Sequence, residues 1–139
     1  MDSNILVKLV LNEAGSKEAR ATVADVLKKG YTLHTVDFAL AEGLNVVWKH
    51  ANVLKDLKAQ EAQPTAEDLT KVYDALNIVT AREIAQETTQ IALTHNITVY
   101  DALYIAATQK LNATLYTADQ KLCNIANGIA NSKLLKPKT

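Results

Sequence analysis

Four carboxylates hold positions from which they can do chemistry. Asp2 follows the first residue, and Glu42 sits in the run Phe38-Ala-Leu-Ala-Glu-Gly-Leu-Asn45. Asp101 opens the run Thr98-Val-Tyr-Asp-Ala-Leu-Tyr-Ile-Ala-Ala107, and Asp119 follows Thr114-Leu-Tyr-Thr-Ala118. Taken singly, each has a plain structural role. Asp101 suits the N3 position of a capping box opened by Thr98, and Asp119 suits a helix start. Glu42 reads as a surface helix residue, and Asp2 as a solvated terminus. Taken together, they fall at equivalent ends of their elements. Carboxylates crowded at one sheet edge repel one another by about 3 kcal/mol per pair at ~5 Å and an effective dielectric of ~20. A hard cation such as Mg²⁺ or Mn²⁺ relieves that, because it takes oxygen ligands. The reaction such a nest serves is in-line hydrolysis of a phosphodiester. Without the cation, crowding should raise at least one carboxyl pKa above its ordinary value of about 4.

The elements that must position these acids are mostly helical in period. Ser16–Lys29 has Ala19, Val23, Val26 and Leu27 on one face, Ser16 as N-cap and Gly30 beyond its end. Phe38 to about Leu57 stripes Ala41, Leu44, Trp48 and Ala51. Thr65–Leu76 follows Pro64 and opens with the capping box Thr65-Ala-Glu-Asp68, and Ala81–Thr94 places Ile84, Thr88 and Ile91 on one side. Tyr31–Val36 and Ala113–Thr117 read as strands, with weaker candidates at Asn4–Val7, Asn77–Val79 and Leu134–Leu135. Strands separated by helices pair in parallel through right-handed crossovers, which predicts a three-layer α/β/α sandwich. Ligands then bind beyond the carboxyl ends of the strands, where the acids lie.

The 139 residues suit one domain spanning 1–139, and 48% apolar residues can build one core. Fifteen basic and fifteen acidic side chains cancel, so bulk charge does not advertise nucleic-acid binding. The tail from Lys133 to Thr139 carries three lysines and no acid. No apolar run approaches the ~20 residues of a membrane span, and no basic n-region precedes one, so a cytoplasmic location is expected. The sequence holds no GxGxxG, GxxxxGK[ST] or GxSxG motif, which removes the usual signals of dinucleotide, P-loop and α/β-hydrolase chemistry. His34, His50 and His95 are scattered and Cys123 is alone, so zinc and disulfide frameworks lack support. Cys123, Trp48 and Tyr104 read as core residues, and Lys8, Arg82 and Lys121 as solvated cations.

The run Asn96-Ile-Thr-Val-Tyr-Asp101-Ala-Leu-Tyr-Ile-Ala-Ala, followed by Leu115-Tyr-Thr-Ala-Asp119-Gln-Lys-Leu122, resembles the C-terminal half of PIN-domain ribonucleases. Asp2-Ser-Asn-Ile-Leu-Val-Lys-Leu resembles their opening motif, and Ala41-Glu42-Gly-Leu-Asn45-Val-Val-Trp their helical Glu motif, in the manner of VapC-type toxins. The resemblance implies a five-stranded parallel sheet of order 3-2-1-4-5. It implies a Mg²⁺- or Mn²⁺-dependent endoribonuclease acting on RNA, usually a homodimer and often held inactive by a small antitoxin. The family's metal-site acids carry over onto Asp2, Glu42, Asp101 and Asp119, with Asn4 and Thr117 as supporting polar groups. The chain departs from the pattern in having only Met1 ahead of Asp2, so the first strand is expected from Asn4–Val7 or the start is late. Gly43, inside a helix, is expected to mark close approach of another backbone.

Two other readings compete. A phosphoacceptor receiver domain also has an α/β sandwich and an acidic pocket, but it wants an adjacent acidic pair where this chain has Asp2-Ser3. A catalytically silent PIN-like module, serving only to bind a partner, would not need the four acids. For partners, the helices at Ser16–Lys29 and Phe38–Leu57 should frame an apolar groove, and Ala81–Thr94 should supply the homodimer contact.

Overall fold

The computed structural model describes residues 1–136; the last three residues of the basic tail, 137–139, lie outside the described residues. In chain order the elements are α1 (Ser3–Val10), α2 (Ser16–Lys28), β1 (His34–Val36), α3 (Phe38–Asn52), α4 (Ala59–Asp74) and β2 (Asn77–Val79). They continue with α5 (Ala85–His95), α6 (Val99–Leu111), β3 (Thr114–Thr117), α7 (Gln120–Ala126) and β4 (Asn131–Leu134). The four strands form two separate parallel pairs, β1 with β2 and β3 with β4. The parallel α/β reading therefore holds, but the described residues do not form a continuous five-stranded sheet.

The reason lies at the start of the chain. Asn4–Val7, expected as a strand, is helical. Asp2 is extended and its Oδ1 accepts the Ile5 N–H at 3.1 Å, which caps α1 and commits Ser3 onward to helix. Ile5, Leu6 and Val7 are fully buried, so packing overrides their β propensity. Among the described residues, Met1 and Asp2 make the hydrogen bonds that join the two sheets. The Met1 nitrogen donates to the His34 carbonyl of β1 at 2.8 Å, and the Thr35 hydroxyl donates to the Met1 carbonyl at 2.7 Å. On the other side the Asp2 N–H reaches the Tyr116 carbonyl of β3 at 3.4 Å. Met1 and Asp2 thus bond to β1 on one side and β3 on the other as a seam, without forming a strand, and the expected five-stranded order is not realised as one sheet.

Helix α6 crosses that seam, packing on β1 and on β3. Its run Ala102–Thr108 is buried on all sides, as a helix sandwiched between neighbours must be. Asn96 and Asn112 end α5 and α6 in the left-handed region (φ 52 and 49), which Asn tolerates better than other side chains.

Other boundaries shift for local reasons. Ser16 is the first residue of α2 rather than its cap; Gly15 takes the N-cap with φ 90. Helix α3 ends at Asn52, short of Leu57. Helix α4 begins at Ala59, so Pro64 lies inside it and the Thr65 capping box does not form; the Thr65 hydroxyl instead donates to the Glu61 carbonyl at 2.7 Å. Helix α5 starts at Ala85, after a turn in which the Thr80 N–H and hydroxyl both donate to the Glu83 carboxylate at 2.9 Å. Cys123 is buried as expected, whereas Trp48 is 52% exposed and not a core residue.

Gly43 does mark a close approach, but of a side chain. A Cβ there would stand 2.8 Å from Leu69 Cδ2 and 3.6 Å from Val7 Cγ2, where α1, α3 and α4 meet. Leu69 is fully buried and has little room to yield. Leu69→Ala should destabilise the protein by about 2–5 kcal/mol. Gly43→Ala should be more favourable by about 1 kcal/mol or more in the Leu69→Ala background than in wild type, since the clash is gone and the helix-propensity gain remains. Equal effects in both backgrounds, by denaturant melts, would contradict this packing.

Candidate active site

Two of the four acids sit where a strand or the seam gives way to a helix, and a third lies in the first turn of a helix that follows another helix. Asp2 ends the Met1–Asp2 seam and caps α1, and Asp119 follows β3 and caps α7. Asp119 Oδ1 accepts the N–H groups of Lys121 at 2.9 Å and Leu122 at 3.2 Å. Asp101 lies in the first turn of α6, where its N–H donates to the Thr98 hydroxyl at 3.2 Å. The capping roles of Asp2 and Asp119 are therefore real, whereas at α6 Thr98 is the cap and Asp101 contributes only its N–H to that bond.

Thr117 ties two of these acids together. It ends β3 and is fully buried. Its hydroxyl donates to Asp2 Oδ2 through a short hydrogen bond and accepts the Asp119 N–H at 2.9 Å. Glu42 joins from α3: its Oε1 accepts a short hydrogen bond from the Tyr104 hydroxyl, and the Ser3 hydroxyl also reaches Tyr104. Burial and the Glu42 carboxylate both hold the Tyr104 phenol above its usual range, so it stays protonated and donates. Tyr104 and Ser3 were not among the site residues read from the sequence. The signal was spacing, since Tyr104 follows Asp101 by three residues on one helix face and Ser3 adjoins Asp2. Asn4 is exposed on the first turn of α1, and among the described residues no hydrogen bond joins it to the acids.

The electrostatics bind the aspartates into one unit. Asp2, only 2% exposed, has its pKa pushed from 3.8 up to about 6. Burial is the first cause; hydrogen bonds from Thr117 and Ile5 oppose it, and the Asp119 charge adds to it. The Asp101 pKa is also raised, by burial first and then by Asp119, with Lys121 opposing. The expected rise thus occurs, but loss of water drives it more than crowding does.

The oxygen-only donor set has the chemistry a hard divalent cation wants, and a buried, partly suppressed aspartate beside a second carboxylate is short of positive charge. As the side chains stand, no three His, Cys, Asp or Glu groups among the described residues are gathered closely enough to hold an ion. Glu42 Oε1 accepts from the Tyr104 hydroxyl and Asp2 Oδ2 from the Thr117 hydroxyl, so both oxygens are engaged by neutral groups.

Residues 1–128 match the PIN domain, and the chain belongs to that family. It is 33% identical over 122 residues to Ribonuclease VapC3 of Pyrobaculum aerophilum, covering 88% of this chain and 89% of that one. The crystal structure of PAE2754 from Pyrobaculum aerophilum has the same fold, with a TM-score of 0.63 at 22% identity over 86% of this chain and 85% of that one.

The Asp2 shift sets a pH dependence. Below the ordinary value of 3.8 the carboxyl is protonated whether folded or unfolded, and this group costs nothing. As pH rises the unfolded chain ionises first, so stability falls until the folded pKa of about 6 is passed. The metal-free protein should therefore lose about 1 kcal/mol from this group between pH 5 and pH 7. Asp2→Asn should flatten that slope. Melts in EDTA at the two pH values check it, and an unchanged slope in the variant would count against the assignment.

Proposed function

We propose that this chain is a Mg²⁺- or Mn²⁺-dependent endoribonuclease, the toxin of a toxin–antitoxin pair, working at the Asp2, Glu42, Asp101 and Asp119 site. The observation that carries the reading is the Thr117 hydroxyl bridging Asp2 to Asp119, with Asp119 in turn acting on Asp101, in a chain one-third identical to a protein named as a ribonuclease. The four acids would hold the cation, which when bound supplies an activated water and stabilises the leaving oxygen of the phosphodiester. The protein's own part is positioning. Thr117 fixes the Asp2 and Asp119 backbones relative to each other. Tyr104 holds Glu42 at the rim of the site, and Ser3 steadies Tyr104. Asp101, less buried than Asp2, faces the approach of substrate with a raised affinity for a proton.

The surface supports partners of the expected kind. Leu44, Trp48, Val53 and Leu54, along and just beyond α3, are 38–55% exposed and offer apolar side chains to a small antitoxin segment. On α5, Leu93 is 80% exposed and suits contact with a second copy. No helix among the described residues is long and apolar enough to cross a membrane. RNA in the cytoplasm is the substrate this reading assigns.

Asp101→Asn should abolish Mg²⁺- or Mn²⁺-dependent cleavage of single-stranded RNA while leaving the circular dichroism spectrum unchanged, because Asn keeps the shape and loses the charge. Wild-type protein that cleaves no RNA with either metal would support the silent partner-binding module instead. Undiminished cleavage by the variant would remove Asp101 from the site.

A further inference from the structure

A cavity of about 540 Å³ lies at the amino ends of β1 and β3, whereas Asp119 follows the carboxyl end of β3. Residues 32–34 at the head of β1, residues 114–116 of β3 and the end of α2 line it. Tyr104, whose hydroxyl bonds Glu42, lines it as well, so the cavity and the acids share one side chain.

The chain as a whole is neutral, but this lining is not. Among the described residues it holds two lysines, Lys29 and Lys133, and one acid, Asp25. Asp25 pairs with Lys29 at 2.9 Å, yet the two side chains are 57% and 63% exposed, and so open a pair gives way to a stronger anion. Aromatic rings are interleaved with the lysines. Lys133 Nζ stands over the Tyr116 ring, 5.9 Å from its centre. The Lys29 ammonium is held above its usual pKa by Asp25 first, and the Tyr116 and Tyr31 phenols are near enough to add to that. Tyr31 also lines the cavity and is 67% exposed. One cluster thus carries two ammonium groups and two rings, one of them open to solvent.

We propose that this cavity is an accessory anchor for single-stranded RNA, with Lys29 and Lys133 on backbone phosphate and a base stacked on Tyr31. The inference rests on the ribonuclease reading and adds a second place of contact, away from the point of cleavage. The chemistry selects the occupant. Ammonium groups set among rings match the phosphates and bases that alternate along a single strand. A duplex keeps its bases stacked on one another and out of reach of such a ring. An acidic peptide would satisfy the lysines and leave Tyr31 without a planar partner. The four residues of β3 span about 13 Å, so an RNA a few nucleotides long covers the distance from the cavity to the acids.

The test is binding of a fluorescein-labelled oligouridylate of about ten nucleotides to the full-length protein, followed by anisotropy in EDTA. Lys29→Gln and Lys133→Gln should each weaken binding and lower the slope of log affinity against log salt by roughly 0.7, the share of one phosphate contact on a single strand. Tyr31→Ala should weaken binding about tenfold, the scale of one lost base–aromatic stack, and Tyr31→Phe should bind as wild type does. Lys29, Tyr31 and Lys133 are all exposed, so the variants keep the wild-type circular dichroism spectrum. Oligoglutamate of equal charge should compete less well than unlabelled RNA. No binding by wild type, unchanged salt slopes in both lysine variants, equal loss in Tyr31→Ala and Tyr31→Phe, or equal competition by oligoglutamate would overturn the proposal. Cleavage does not enter the readout, so RNA cleavage by wild type with unchanged binding in these variants would remove the anchor alone.

Discussion

The structure depends on one buried carboxylate. Asp2 caps α1 with one oxygen, accepts from the Thr117 hydroxyl with the other, and offers its own N–H to β3. A carboxylate so far out of water is expensive unless its oxygens are satisfied, and these contacts satisfy them. The same contacts decide where α1 begins, hold the end of β3 against the chain's first residues, and set the distance between the first and last acids. These contacts offset part of the burial that pushes its pKa to about 6.

Around it, the polar contacts form two short chains that meet at the seam. One runs from Asp2 through Thr117 to Asp119, the other from Ser3 through Tyr104 to Glu42. Both rely on hydroxyls that donate one way and accept another, so one oxygen of Asp2 and one of Glu42 each take a bond from a hydroxyl that is itself held by a further donor. The side chains of Asp2 and Glu42 are thereby held in low-charge company, bonded to neutral groups instead of facing one another.

How much of this was legible in the sequence differs by element. The helical period placed α2, α3 and α5 to within a few residues because each has an apolar face, α6 was marked by its Thr98 cap, and β1 to β3 were visible as β-branched runs between helices. Leu134–Leu135 was read slightly late for β4, whose polar Asn131-Ser-Lys opening carries little strand signal. Asn4–Val7 misled because Ile, Leu and Val serve a buried helix as readily as a strand; only the Asp2 cap distinguishes them, and Asp2 had been read as a solvated end. Pro64 and Thr65 looked like a helix start, but Ala59–Gln63 are good helix formers and carry α4 across them. Trp48 shared the spacing of core residues yet faces outward, since periodicity finds a face without saying what covers it. The four acids were visible through their element ends, whereas Tyr104 was hidden inside an apolar run.

The seam between the two sheets has a mechanical meaning. Within each sheet, a ladder of backbone bonds resists sliding; across the seam, four hydrogen bonds donated by Met1, Thr35, Asp2 and Thr117 stand in for a ladder. Glu42 belongs to the half that carries β1, and Asp119 to the half that carries β3. Their separation is thus a soft coordinate, stiffened less by the sheets than by α6, which lies across both like a splint. Helix α6 carries Asp101 and Tyr104 on that splint, so any shear between the halves is felt first at the residues between them. The acids thus lie along the line where the two halves are joined by the fewest backbone bonds.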